Sequence, residues 1–137
     1  MGQIVDLMSV AMNNHDLDGF VALFASDYRS EQPAHPDRAF TGSDKVRENW
    51  AGVFSGVPDF RAELVTASTT DDGVEIAEWR WTGTHTDGAS FEMRGMTLLG
   101  VANERVAWGR LYMELVERDG RRIDEMVQDT YRPPTAQ

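Results

Sequence analysis

FRAELVTASTTDDGVEIAEWRWTGTHTDGASFEMRGMTLLGVANERVAWGRLYMELVE, residues 60–117, is the stretch that decides the fold. Long runs rich in β-branched and aromatic residues alternate with short clusters, Asp71-Asp72-Gly73, Thr86-Asp87-Gly88 and Ala102-Asn103-Glu104, and Asp119-Gly120 follows just beyond. Gly, Asn and Asp tolerate the backbone conformations that a tight reversal needs, so each cluster turns the chain back on itself. The spacing predicts four strands, at about Phe60 to Thr69, Val74 to Thr84, Phe91 to Val101 and Arg105 to Glu117. Turns this short make neighbouring strands antiparallel, and strands this long twist and curl. In the second strand the apolar parity passes from Val74 and Ile76 to Trp79 and Trp81. A bulge near Ala77 and Glu78 would account for the switch and sharpen the curl.

Upstream the period changes from two to 3.6. Ile4, Met8 and Ala11, flanked by Val5 and Met12, form one helical stripe. Asp16 is a natural N-cap for a second helix carrying Leu17, Phe20, Val21, Leu23 and Phe24, and the two read as a helical hairpin. A short extended piece, Tyr28 to Gln32, is cut off by Pro33 and Pro36. Thr41-Gly42-Ser43-Asp44 then caps a third helix through Val46, Trp50, Val53 and Phe54, which Gly56 and Pro58 stop. Past the strands, Arg122 to Thr130 forms a closing helix through Ile123, Met126 and Val127, before Pro133-Pro134 ends ordered structure. Helices first and a curled sheet second, over one core, make an α+β fold. N-terminal helices pack on a strongly curved, mainly antiparallel sheet that wraps around them and leaves a cavity at the wide end. Residues 1–132 form this single domain and 133–137 a C-terminal tail.

Composition narrows the function. Thirteen Lys plus Arg against 23 Asp plus Glu leave a formal charge of −10, which makes nucleic acid and anionic membranes poor partners. With no cysteine there is neither a disulfide framework nor a thiolate metal site, and His15, His35 and His85 lack metal-ligand spacing. No glycine-rich turn of the phosphate-binding kind is present, so no cofactor is expected. The N-terminus shows no signal-peptide pattern, and cytoplasm is the default location. On the last strand Val106, Trp108, Tyr112 and Val116 alternate with Ala107, Leu111, Met113 and Leu115, so neither face is built for water. One face meets the helices. The other is expected to pair with a second copy of the chain, the alternative being cover by the C-terminal helix.

Several segments, in order, resemble the nuclear transport factor 2-like superfamily, and within it the SnoaL-like polyketide cyclases. They are Asn14-His15-Asp16-Leu17, Phe40-Thr41-Gly42 before Val46 and Trp50, Trp81-Thr82-Gly83-Thr84-His85, and Arg110-Leu111-Tyr112-Met113-Glu114. The resemblance implies a conical α+β barrel, often dimeric through the outer sheet face, around a pocket for an apolar small molecule. Relatives include cyclases, ketosteroid isomerases, epoxide hydrolases and non-catalytic binding domains, so three functions are open. They are acid/base cyclisation or isomerisation of an apolar carbonyl compound such as a polyketide, hydrolysis or hydration by paired carboxylates, and ligand binding without chemistry.

The same resemblance assigns residues. An acid on the last long strand points into the pocket of such cyclases, and Glu114 occupies that position. A carboxylate there loses hydration and gains basicity. Glu78 is the second candidate acid, although the epoxide hydrolase pattern has arginine where this chain has Ile76. Tyr112 or Tyr28 would donate to an enolate oxygen. Tyr28, Gln32, Trp50, Phe54, Trp79, Met93 and Thr97 would line the pocket, with Gly95 leaving room for the ligand and His85 at the rim. The competing structural roles are an ion pair of Glu114 with Arg110, Arg80 or Arg94, and of Glu78 with Arg80 or Arg94.

Overall fold

The computed structural model describes residues 3–131. Helices α1 (Gln3–Asn13) and α2 (Leu17–Val21) lead into strand β1 (Phe24–Glu31). A 3-10 turn at Pro36–Arg38 and the two-residue strand β2 (Phe40–Thr41) precede helix α3 (Ser43–Gly56). Strands β3 (Arg61–Thr69), β4 (Val74–Thr84), β5 (Ser90–Ala102) and β6 (Arg105–Leu115) follow, then helix α4 (Ile123–Tyr131). The six strands form one sheet in the order β2-β1-β6-β5-β4-β3, with every pair antiparallel except β1 and β6. The α+β cone and the four-strand meander agree with the sequence reading. No described helix is long and apolar enough to cross a membrane.

Three expectations need correction. The second helix ends at Val21 rather than running to Phe24, because Phe24 is drawn into the ladder opposite Val106, whose N–H donates to the Leu23 carbonyl at 2.8 Å. Phe20, Phe24 and Tyr28 recur every four residues, as in a helix. In β1 Phe24 and Tyr28 share strand parity and both turn inward, with a register shift against β6 between Phe24 and Arg29. The bulge expected at Ala77 and Glu78 lies across the ladder, at Val65, between the pairs Leu64–Trp79 and Thr66–Glu78. β4 itself alternates without interruption, burying Glu75, Ala77, Trp79 and Trp81, so Val74, Ile76 and Glu78 face outward. The closing helix forms as α4, yet none of its residues is buried, so it does not cover the outer sheet face. The tail at 133–137 lies outside the described residues.

The core fills the space between α1, α3 and the concave face of the sheet. Val5, Met12, Phe60, Trp79 and Val106 have no exposed surface at all. Trp50 meets Phe60 and Trp81 edge-to-face at 5.5 and 5.4 Å, the geometry that ring quadrupoles favour. Two polar contacts fix α1 on this layer. Asn13 acts as a short stretch of strand, donating to the Ala62 carbonyl at 2.9 Å and accepting from the Ala62 N–H at 2.7 Å. At the other end Glu75, 7% exposed, accepts from the N–H groups of Val5 at 2.9 Å and Ile4 at 3.4 Å. A helix leaves its first N–H groups without partners and carries positive potential there, so a carboxylate supplied by β4 satisfies both demands inside the core.

Glu75→Ala should therefore cost about 2–3 kcal/mol in urea unfolding, because it strands two buried donors, and Glu75→Gln roughly half as much. An alanine variant as stable as wild type would show that the cap adds nothing.

Candidate functional site

A cavity of about 210 Å³ lies between α3, β1 and the concave face of the sheet. Its aromatic walls come from Phe20, Phe24 and Trp50 on one side and Trp79 and Trp81 on the other, with Met8, Met12 and Leu111 between them. Five lining residues carry polar side chains: Tyr28, Ser30, Gln32, Asn49 and Thr97. Thr97 is engaged, accepting from the indole N–H of Trp79 at 3.0 Å. Gln32 is held from outside by the guanidinium of Arg38, which donates to its Oε1 at 3.0 Å. Tyr28 is 3% exposed, and burial pushes its phenol above the ordinary pKa, while a hydrogen bond with the Ser30 side chain pulls it partly back. The hydroxyl thus stays protonated and able to donate at neutral pH.

The Tyr28 hydroxyl sits where β6 has no side chain. A Cβ at Gly109 would lie 2.5 Å from the Tyr28 Oη. Tyr28 and Gly109 therefore define this end of the cavity together. Among the described residues no carboxylate and no histidine lines the cavity. Its chemistry is π-surface with neutral donors and acceptors, which suits a flat molecule with little charge.

The structure separates the residues that the sequence reading had grouped. Tyr28, Gln32, Trp50, Trp79 and Thr97 stand on the cavity wall. Met93 does not, facing a neighbouring chamber beneath α3 instead. Phe54 turns toward the α1–α2 connection, stacked on His15 at 4.8 Å, and His15 Nε2 lies 2.8 Å from the Phe60 carbonyl oxygen. Gly95 leaves no space for a ligand, since a Cβ there would meet the Tyr112 carbonyl at 1.9 Å, so glycine serves the close approach of β5 to β6.

Glu114, Tyr112 and Glu78 are on the convex face, Glu78 through the alternation of β4 and the other two through a bulge in β6. Val101 pairs with Val106 but Gly100 pairs with Trp108, leaving Ala107 as an extra residue. Val106 is inward and fully buried, whereas after the bulge the inward positions are Gly109, Leu111 and Met113. Glu114 consequently leaves the cavity for the rim. Its side chain is 55% exposed, with Oε2 2.8 Å from Nε2 of His35. Among the described residues no ion pair joins it to an expected arginine: Arg110 lies over the Trp108 ring at 4.7 Å, Arg80 pairs with Glu92 at 2.9 Å, and Arg94 stands opposite Glu114 in the ladder while the Glu114 carboxylate turns to His35. Glu78 stands opposite Met96, which stands opposite Tyr112, in one outward row. The two acids do not share a cavity.

Several contributors were missed. Ser30 shares parity with Tyr28 and Gln32, so strand alternation alone could have found it. Asn49, Met8, Met12 and Leu111 enter through tertiary packing. His35 reaches Glu114 across 79 residues of sequence, and nothing local signals it.

A family model described as SnoaL-like domain matches residues 4–109. No curated protein matches the chain. Wild-type IdmH from Streptomyces antibioticus, titled a candidate polyketide cyclase, superposes with a TM-score of 0.71 at 19% identity, covering 82% of this chain and 91% of that one. A hypothetical protein of ketosteroid isomerase-like fold from Catenulispora acidiphila, solved with trimethylamine, gives a TM-score of 0.69 at 19% identity over 80% of this chain and 84% of its own. AclR from Streptomyces galilaeus, titled a candidate hydroxylase, gives 0.71 at 18% identity over 82% and 77%. At such identities the likeness is one of fold alone.

The seat of Tyr28 can be tested by a double-mutant cycle. Gly109→Ala should destabilise the wild-type background by about 1–3 kcal/mol through overpacking against the hydroxyl. In a Tyr28→Phe background the same change should cost clearly less, and equal costs in the two backgrounds would remove the proposed contact.

Proposed function

Because this chain belongs to the SnoaL-like domain family, we propose that it binds a flat, largely apolar carbonyl compound of the aromatic polyketide kind in the cavity beneath α3. The observation that carries this reading is the cavity wall. Aromatic faces surround a small set of neutral polar groups, and the buried Tyr28 hydroxyl is protonated to donate to a carbonyl oxygen. Displacement of water from such walls favours an apolar guest by about 25 cal/mol per Å² of buried surface.

Acid/base cyclisation or isomerisation of that compound is the second reading, favoured by the His35–Glu114 pair. Through Glu114 the pair adjoins an open depression that Phe91, Met93, Met113 and Leu115 also line. A carboxylate hydrogen-bonded to imidazole is a competent proton acceptor with a relay behind it. The acid therefore works from the rim on a part of the ligand that leaves the cavity. Hydrolysis by paired carboxylates has less support, since Glu78 and Glu114 do not converge.

The convex face carries the dimer proposal. Met96 and Tyr112, 40% and 42% exposed, oppose each other in register beside the pairs Ile76–Leu98 and Gly100–Trp108. A contiguous apolar strip across three strands is what a second copy would cover.

A propionyl-dimethylaminonaphthalene dye, a flat aromatic ketone with polarity-sensitive emission, tests the cavity. Wild type should bind it, and Leu111→Trp, which fills the cavity, should weaken binding by about tenfold or more while keeping the fold. Undiminished binding to that variant would place the dye elsewhere. Glu114→Gln should leave binding within about twofold, and a substrate turned over equally fast by this variant would take the catalytic role away from Glu114. Light scattering on Met96→Glu/Tyr112→Glu should give half the wild-type mass, and a wild-type monomer would end the dimer proposal.

A further inference from the structure

Beyond Trp81 the cavity has a neighbour. A second chamber of about 360 Å³ runs along α3, and Asn49, Trp50, Val53 and Trp81 belong to the walls of both. On the helix side it is bounded by Gly52 and Gly56, and on the sheet side by Phe91 and Met93. His85, Phe91 and Met93 also border the open depression beside Glu114, so the three spaces are neighbours that share walls. The first cavity alone is smaller than the roughly 300–1,000 Å³ of usual small-molecule sites, and the chamber brings the whole into that range.

Two features of the chamber bear on what it holds. The first is the pair of glycines. Gly42, Gly73 and Gly88 have φ of +104°, +86° and +91°, which side chains resist. A Cβ at Gly19, Gly83, Gly95, Gly100, Gly109 or Gly120 would come within 2.7 Å of a neighbouring atom. At Gly52 and Gly56 a Cβ would meet nothing within 4 Å, and φ is not positive. Glycine inside a helix costs about 1 kcal/mol relative to alanine, so Gly52, exposed in the middle of α3, gives up helix stability without relieving any contact, whereas Gly56 is the last residue of the helix and also serves to end it. The second feature is independent of the first. Trp81 is 8% exposed, and its indole N–H is the one buried side-chain polar atom among the described residues with no hydrogen-bond partner. Native proteins rarely leave such a donor unsatisfied. Trp79 next to it has its N–H paired with Thr97.

We propose that the ligand site is bipartite: the flat head of the ligand occupies the cavity, an unbranched apolar tail lies in the chamber along Gly52 and Gly56, and an acceptor oxygen at the junction receives the Trp81 indole N–H. The ligand class is thus an aromatic ketone bearing a long acyl or alkyl chain. The missing Cβ atoms provide the groove for the chain, and Phe91 and Met93 provide its apolar floor. This rests on the cavity being the binding site, as proposed above.

The test compares the propionyl dye with its dodecanoyl counterpart, and with a propionyl analogue whose carbonyl is reduced to methylene. Wild type should bind the dodecanoyl dye at least about tenfold more tightly than the propionyl dye, from burial of the added methylenes. Gly52→Ala/Gly56→Ala should bring that ratio close to one, leave propionyl binding within about twofold, and raise the thermal midpoint through better helix propensity. Trp81→Phe should weaken both ketones about fivefold or more and spare the methylene analogue. If the propionyl dye binds but the long chain brings no gain, or the double alanine variant keeps the gain, the chamber is not a tail site and the cavity reading still stands. If Trp81→Phe affects ketone and methylene analogue alike, the hydrogen bond is wrongly assigned. If no dye binds, the cavity reading falls and the bipartite site with it.

Discussion

One extra residue in β6 governs which side chains look into the cone. Between the Val101–Val106 and Gly100–Trp108 pairs the strand carries Ala107 without a partner, and everything after it changes face. Before the bulge Val106 enters the core. After it Leu111 and Met113 turn inward, while Trp108, Arg110, Tyr112 and Glu114 turn to the convex face. Side-chain direction in a strand has a period of two, so a single inserted residue moves a whole set from one environment to the other. Gly100 accommodates the consequence. The Trp108 indole lies where a Cβ would stand, 1.9 Å from its Nε1.

That choice of face gives the protein a cavity without ionised groups and a rim that has them. Inside are aromatic walls and the neutral hydrogen-bonding groups of Tyr28, Ser30, Gln32 and Asn49. At the rim Glu114 meets His35, and Arg38 reaches back to hold Gln32. An uncharged interior costs little desolvation to keep empty or to fill, whereas a carboxylate buried there would need a partner. Recognition and any proton transfer are thus assigned to different depths of the same opening.

The helices are placed by polar contacts as much as by apolar ones. Glu75 and Asn13 secure the two ends of α1 to β4 and β3, and His15 bridges Phe60 and Phe54. These groups are buried or partly buried and partnered, so each specifies one arrangement of helix on sheet and penalises others. The result is a lid layer held at a distance, with room beneath α3 for the cavity and its neighbouring chamber.

How much of this was legible in the sequence follows from the range of each interaction. Turn clusters and the change of period from 3.6 to two are local, so the helices, the four-strand meander and the α+β cone could be read directly. Asp16 as a cap was also visible, since its side chain accepts from Gly19 only three residues on. Tyr28, Gln32, Trp50, Trp79 and Thr97 could be placed near the cavity through the family resemblance, with strand parity and helix spacing keeping their direction over a few residues. The position of a bulge is not local. Val65 rather than Ala77, and Ala107 with it, are set by how neighbouring strands must curve to cover the helices, and only the assembled sheet decides that. Glu114 was therefore chosen by a matched strand position and moved outward by the register, to a histidine 79 residues away that no pattern in the sequence could have paired with it.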